Sequence, residues 1–207
     1  MNRKLAFYDI IFYMALPFLA WNYGKDIIGD YYAMLLSTVP GIFYTVYRFW
    51  KERQFNIIGI FIIGSLVLNT TVDLLSGSAE KMIINGIYLG LFYVVIHLVA
   101  LLIRKPFALY FAVEFVALQG FHRKQSRDLY YTKGIFKWFQ LIQFIFIIRG
   151  LFMAGLKMWL LQKYGVDGYG SMIIYRQVAG WFFGILITGL YLYTNVPINH
   201  YLKSKAA

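Results

Sequence analysis

Residues 82–103 read MIINGIYLGLFYVVIHLVALLI, a stretch without any aspartate, glutamate, lysine or arginine. Lipid offers no hydrogen-bond partner to a polypeptide backbone, so a spanning helix needs about 20 mostly apolar residues. This stretch meets that requirement and is predicted to cross a membrane. The rest of the chain has the same character, because 60% of its 207 residues are hydrophobic and 20% are aromatic. The composition therefore predicts an all-α integral membrane protein.

Outward from this stretch, five more apolar runs are long enough to cross a bilayer. The six predicted spans are residues 6–23, 31–48, 55–75, 82–103, 135–161 and 171–196. A shorter apolar segment, residues 106–121, has basic residues on both sides and is predicted to be a cytoplasmic helix, either interfacial or re-entrant. The predicted fold is a single polytopic membrane domain over residues 1–207, with six transmembrane helices and this additional segment.

Basic residues in the loops predict the orientation of the spans. Arg3 and Lys4 precede the first span, and Arg48, Lys51 and Arg53 surround the second loop. The connection from Arg104 to Lys137 carries seven basic residues against two acidic ones, Glu114 and Asp128. Because basic loops stay in the cytoplasm, both termini are expected there. Lys157 and Lys163, on the predicted outer side, depart from this pattern.

Charge and missing motifs restrict the classes of function. The net charge of +11 is explained by the basic loops, and no nucleic-acid-binding motif accompanies it. The absence of cysteine excludes disulfides and thiolate chemistry. No phosphate-binding glycine-rich loop, zinc signature or nucleophile elbow occurs in the sequence. We therefore predict no nucleic-acid partner, catalytic residue, metal site or cofactor, and regard enzymatic activity as the weaker expectation.

Four polar residues lie at similar depths in the predicted spans, towards the outer side. Asn69 and Asp73 are one helical turn apart, Arg149 follows an apolar run, and Arg176 lies one turn into the sixth span. Charges in hydrocarbon are costly unless they are paired or hydrated. One hypothesis is that the four residues line a cavity for an anionic or headgroup-bearing ligand. The alternative is a structural ion pair, with the remaining arginine reaching the headgroup layer.

Two other ionisable residues are candidates for a role inside the protein. His97, in the fourth span, is a candidate proton relay or cofactor contact. The alternative for His97 is a hydrogen bond to a neighbouring helix, which is the commoner use of a single buried histidine. Glu114 is the only acidic residue in the segment 106–121. It either pairs with a basic loop or faces water.

Two pairs of glycines have a spacing that permits close packing of membrane helices. Gly86 and Gly90 lie four residues apart in the fourth span, and Gly180 and Gly184 do so in the sixth. Small residues at this spacing allow two helices to approach each other. Both pairs are candidate helix-packing positions.

Short motifs distributed over most of the chain resemble those of a known family. They are Tyr47-Arg48-Phe49-Trp50-Lys51 before the third span, Arg104-Lys105-Pro106 after the fourth, Trp138 at the start of the fifth, and Tyr175-Arg176 followed by Gly180 in the sixth. Their order and spacing resemble the intracellular septation protein A family, or its functionally uncharacterised six-span relatives. The resemblance implies a protein of the bacterial cytoplasmic membrane that supports envelope integrity, cell division and elongation, and it implies no established reaction.

The sequence supports more than one class of function. The first is a non-enzymatic envelope protein that associates with other membrane proteins of the envelope or division machinery, and with membrane lipids. The second is a small transporter or channel with an intramembrane ligand site, which would function as a homo-oligomer if copies assemble. A third and weaker option is a membrane enzyme that handles a lipid or a cofactor.

Overall fold

A computed structural model describes residues 3–51 and 57–206, and these residues form helices joined by short turns. The α-helices are α1 (Arg3–Ile10), α2 (Leu16–Ile28), α3 (Asp30–Lys51), α4 (Ile57–Leu75), α5 (Ala79–Leu102), α6 (Phe107–Leu118), α7 (Arg123–Tyr130), α8 (Lys133–Tyr164), α9 (Tyr169–Tyr193) and α10 (Asn195–Ala206). A π-helical segment, Ile11–Ala15, joins α1 to α2, and a 3₁₀ turn, Val166–Gly168, precedes α9. The all-α prediction is confirmed for the described residues.

Among the described residues, four helical segments are long and apolar enough to cross a membrane. They are Ile58–Leu75, Ala79–Leu102, Lys133–Tyr164 and Val166–Ser204. They coincide with the third to sixth predicted spans, so the chain has the helices of a membrane protein. The predicted start of the third span at residue 55, the basic residue Arg53 and the side chains of Arg3 and Lys4 lie outside the described residues.

The first two predicted spans fall outside these four segments. Residues 6–23 lie within α1, the π-helical segment and α2, and residues 31–48 lie within α3. Gly29, with a φ of 78°, separates α2 from α3 and occupies a backbone conformation that glycine adopts without strain. The polar side chains of α3 bond to their own helix: Ser37 donates to the Met34 carbonyl at 2.6 Å and Thr45 to the Gly41 carbonyl at 2.7 Å. Such bonds satisfy hydroxyl groups without water.

The segment predicted at 106–121 is the short helix α6. Its 12 residues rise only about 18 Å, too little to cross a hydrocarbon layer about 30 Å thick. Gly120, with a φ of 93°, ends the helix in a Schellman turn, because the amides of Phe121 and Gly120 donate to the carbonyls of Val116 and Ala117. The turn reverses the chain and leads it into α7.

The helices form two compact units. The first contains Met1–Gly90 and Met153–Gly180, and the second contains Leu91–Phe152 and Trp181–Ala207. In the first unit, the side chains of Trp21, Met34 and Leu160 are fully buried. In the second, Leu109 of α6 and Phe139 of α8 belong to a continuous buried cluster. The helix α6 is therefore packed inside the second unit through one of its faces.

Candidate functional site

Three charged side chains from three helices form a cluster in the first unit. Asp73 of α4 interacts electrostatically with Lys157 of α8 and with Arg176 of α9, and the two cations also interact with each other. Asp73 and Lys157 are partly buried, and Arg176 is exposed. We call Asp73, Lys157 and Arg176 the charged cluster. With two cations and one carboxylate, it carries a formal charge of +1.

A glycine on a fourth helix makes room for the lysine of the cluster. A Cβ atom added to Gly86 of α5 would lie 3.2 Å from Nζ of Lys157. This distance is tighter than an ordinary van der Waals contact, so any larger residue at position 86 would push the ammonium group aside. The space beside Gly86 therefore holds the charged end of a side chain from α8, and a role of Gly86 in helix packing stays a prediction.

Hydrogen bonds fix the end of α4, where Asp73 is located. The hydroxyl of Tyr31 donates to the backbone carbonyls of Asp73 and Leu74, at 3.1 and 2.8 Å. Three residues beyond Asp73, the buried hydroxyl of Ser76 accepts a hydrogen bond from Nδ2 of Asn85 at 2.9 Å. Because Asn85 is adjacent to Gly86, the same contact sets the position of α5 against that of α4.

Close packing also determines where α9 begins. Tyr169 is buried, its ring packs edge-on against Trp21 with centroids 5.1 Å apart, and its hydroxyl lies 3.2 Å from the hydroxyl of Ser37. At Gly170, an added Cβ would lie 3.2 Å from both Trp21 and Phe18. These contacts hold the first turn of α9 against α2 and α3. Arg176 follows two helical turns further on, near enough to Asp73 for the two charges to influence each other.

The structure groups the predicted site residues differently from the sequence hypothesis. Asp73 and Arg176 influence each other electrostatically, and Lys157, which in the sequence is only an exception to the loop-charge pattern, interacts with both. Asn69 is exposed and donates from Nδ2 to the Ser65 carbonyl of its own helix at 2.6 Å. Arg149 belongs to the second unit, and its residue is exposed. The signal that identifies Lys157 in the sequence is its position inside the predicted fifth span.

His97 takes part in a hydrogen-bond network of the second unit. Nε2 of Gln143, a fully buried residue of α8, lies 2.9 Å from both Nδ1 and the backbone carbonyl of His97. Oε1 of Gln143 accepts from the backbone amide of Ala108 at 3.2 Å. That bond fixes the orientation of the amide group, so its two hydrogens point towards His97. Nδ1 of His97 must then be an acceptor, and the ring is neutral with its proton on Nε2.

This tautomer bears on the predicted roles of His97. A histidine that binds iron through Nε2 keeps its proton on Nδ1 and donates it to a neighbour. Here the group beside Nδ1 is itself a donor. The ring also stacks on Phe146, with centroids 5.4 Å apart, and meets Phe107 edge-on. The geometry thus favours a hydrogen bond between helices, and the proton-relay role stays a prediction.

Glu114 pairs with a basic residue of the next helix. It is buried, with 4% of its surface exposed, and its carboxylate accepts two hydrogen bonds from Arg123, from Nε at 3.0 Å and from Nη2 at 3.1 Å. Nearby, the hydroxyl of Tyr131 lies 3.2 Å from that of Tyr110 of α6. Burial, reinforced by the hydrogen bond to Tyr110, raises the pKa of Tyr131 to about 12. Tyr131 therefore stays neutral and donates to the Arg104 carbonyl at 3.3 Å.

The remaining predicted packing glycines have open space beside them. A Cβ atom added at Gly90, Gly180 or Gly184 would meet no atom of the described residues within 4 Å. Within the second unit, the close approach of helices occurs instead at Gly150, where an added Cβ would collide with Val94. A packing role for Gly90, Gly180 and Gly184 stays a prediction, and any such contact would be made with a surface that does not belong to the described residues.

Comparisons with protein-family models, with curated proteins and with solved structures find no match for this chain. Within the described residues, no group of three histidine or acidic side chains is placed to hold a metal ion. The charged cluster is therefore the arrangement in the described residues that best indicates a function.

Proposed function

We propose that this protein binds a small anion at the charged cluster, as a transporter or channel with an intramembrane site would. The supporting observation is the cluster of Lys157, Arg176 and Asp73 within otherwise apolar helices. A single carboxylate neutralises one of the two cations. The remaining positive charge is costly at membrane depth unless an anion or water compensates it.

The surroundings of the cluster favour a ligand site over a simple ion pair. An ion pair needs one cation for each carboxylate, whereas here two cations interact with the same Asp73 and also with each other. Their mutual repulsion is relieved when an anion binds between them. Gly86 adds to this argument, because the absence of a side chain allows Nζ of Lys157 to take up its position beside α5.

The binding test uses inorganic phosphate and acetate as probe anions, with the protein in nanodiscs of zwitterionic lipid. If one of them binds, the midpoint of thermal unfolding rises by about 5–10 °C at a concentration 100 times its Kd. The rise should disappear in Lys157→Met, which removes one cation, and persist in Asp73→Asn, which removes none. Lys163→Gln is the matched control, because Lys163 lies on the same helix with its ammonium over Trp159 and Tyr164.

Two results would reject anion binding at this place. One is a rise that persists in Lys157→Met. The other is a rise that both lysine variants lose equally, since this would indicate a general effect of positive charge. A transporter or channel must also carry the bound anion into proteoliposomes, and Lys157→Met should abolish that flux.

For the topology, we propose that all six predicted segments cross the membrane, with both termini in the cytoplasm. Several polar groups of the first two segments find partners in the protein. Tyr13 and Thr45 hydroxyls lie 2.8 Å apart, and Arg48 pairs with Asp9 at 3.4 Å. Internal pairing of this kind is what a hydrocarbon environment requires. The basic loops support the orientation.

Single-cysteine labelling can test this topology directly, because the natural chain contains no cysteine. A membrane-impermeant maleimide applied outside intact cells should label a cysteine at Gly77 or Asp167. It should label a cysteine at Gln119 or Ser204 only after the cells are permeabilised. Labelling of Gln119 and Gly77 from the same side would contradict six spans in the proposed order.

A second candidate function is association with other membrane proteins, as the family resemblance suggests for a protein of the bacterial cytoplasmic membrane. The observation in its favour is the surface around Arg149, which is exposed beside the exposed apolar residues Ile148, Leu151 and Phe152. Exposed apolar residues of this kind can pack against the helix of another membrane protein. The anion experiment separates the two candidates, because association alone predicts no unfolding shift that depends on Lys157.

A further inference from the structure

A groove in the second unit lies between the beginning of α8 and the face of α10. Its volume is about 410 Å³, and it is open on one side. Polar and aromatic groups line part of it, namely Thr132, Lys137, Trp138, Tyr193, His200 and Ser204. The rest of the lining is mostly aliphatic. The groove thus combines a cation and hydroxyl groups with an apolar wall.

The charges around the groove favour an anionic occupant. Of the described residues that line it, none is acidic, and Lys137 and His200 supply nitrogen donors. Neither the first turn of α8 nor that of α10 contains an acidic residue. The positive end of the α8 dipole adds to the attraction of an anion at this end of the helix.

The length of α8 places the groove at the level of lipid headgroups. Its 32 residues extend about 48 Å, whereas the hydrocarbon core is about 30 Å thick. One or both ends of α8 must therefore project beyond the hydrocarbon. Trp138, near the beginning of α8, and Tyr193, the last residue of α9, have rings 4.7 Å apart. Tryptophan and tyrosine are the residues that typically mark the membrane interface.

We propose that this groove binds the headgroup of an anionic glycerophospholipid, with the phosphate beside Lys137 and His200. The hydroxyl of Thr132 provides a further donor to the phosphate oxygens, whereas that of Ser204 donates to the Tyr201 carbonyl of its own helix at 2.8 Å. The acyl chains leave along the apolar wall, past the rings of Trp138 and Tyr193. A lipid fits this arrangement better than a free anion, because a free anion makes no use of the apolar wall.

The test measures lipid binding by native mass spectrometry of delipidated protein in a neutral detergent. Phosphatidylglycerol is the anionic probe, and phosphatidylcholine with the same acyl chains is the zwitterionic control. The double variant Lys137→Gln/His200→Gln should bind the tightest phosphatidylglycerol at least about tenfold more weakly, since the charged hydrogen bond of Lys137 alone contributes about that factor. Lys133→Gln, which removes a neighbouring exposed charge on the same helix, should leave this affinity within about twofold.

Several outcomes would overturn the proposal. Equal affinity for the two lipids would show that the groove does not recognise negative charge. An equal loss in Lys133→Gln would show attraction to the general surface charge. Displacement of phosphatidylglycerol by millimolar inorganic phosphate would identify the occupant as free phosphate. The thermal midpoint of each variant in phosphatidylcholine reports folding, and an unchanged midpoint assigns a loss of binding to the groove itself.

Discussion

Replacing Gln143 with leucine should lower the free energy of unfolding by about 3 kcal/mol, although the two side chains are similar in size. Gln143 is fully buried and bridges three helices, with contacts to His97 of α5 and to Ala108 of α6. Leucine would leave Nδ1 of His97 and the amide of Ala108 without these partners. Buried polar groups that lose their partners are costly, because no water replaces them.

This change should appear as a fall of about 5–15 °C in the midpoint of thermal unfolding in detergent. Gln140→Leu is the matched control: it is the same substitution three residues earlier on α8, at a partly exposed position. A fall of the same size in both variants would mean that the network around Gln143 adds no more stability than a partly exposed glutamine does.

The network also predicts a protonation state that spectroscopy can observe. Nitrogen NMR of histidine-labelled protein should show His97 as the neutral tautomer with its proton on Nε2, and His97→Asn identifies its signal among the three histidines. In Gln143→Leu no amide group donates to Nδ1, so the ring proton can occupy either nitrogen. A proton on Nδ1 in the natural protein would contradict the arrangement of Gln143.

Helix positions were largely predictable from the sequence, because apolar run length is a local property. The fourth predicted span, 82–103, differs from α5 by three residues at its start and by one at its end. The fifth, 135–161, lies inside α8, whose extra turns carry Lys133 and Tyr164. The charged and aromatic residues at such ends can lie in a helix among the lipid headgroups, so hydropathy does not define where the helix begins or ends.

The site was less predictable, because it depends on which helix faces meet. Asp73 and Arg176 were selected for their depth, and this criterion does bring them together. The same criterion joined Arg149 to them, yet the residue of α8 that interacts with Asp73 is Lys157, which lies about 12 Å further along the helix. Depth counted along an apolar run is therefore only approximate, and the direction of a side chain depends in addition on the packing of all its neighbours.

The glycines show the same limit. Two glycines four residues apart are a sign of close helix packing, but Gly150, which has no second glycine at that spacing, is the glycine of α8 that contacts Val94. Gly86 accommodates an ammonium group instead of a helix backbone. A glycine permits a close approach, and only the tertiary structure determines what approaches.

Removing the guanidinium group of Arg123 should destabilise the protein far more than removing the carboxylate with which it pairs. Glu114 is 4% exposed, whereas the Arg123 side chain is 66% exposed. In Arg123→Gln the carboxylate stays buried without its charged partner, and we expect a loss of about 2–4 kcal/mol. In Glu114→Gln the arginine is already largely solvated, so the loss should be about 1 kcal/mol.

A double-mutant cycle on thermal or denaturant unfolding measures this asymmetry. The variant Glu114→Gln/Arg123→Gln should be more stable than Arg123→Gln alone, because no buried charge remains. Arg127→Gln is the control on the same helix, where the partner Asp128 is exposed and 3.8 Å away, and it should change stability by less than about 0.5 kcal/mol. Equal losses in Arg123→Gln and Arg127→Gln would show that the buried carboxylate does not depend on Arg123. The connection between α6 and α7 would then depend on the Gly120 turn and on the buried cluster that Tyr130 shares with Leu109 and Val113.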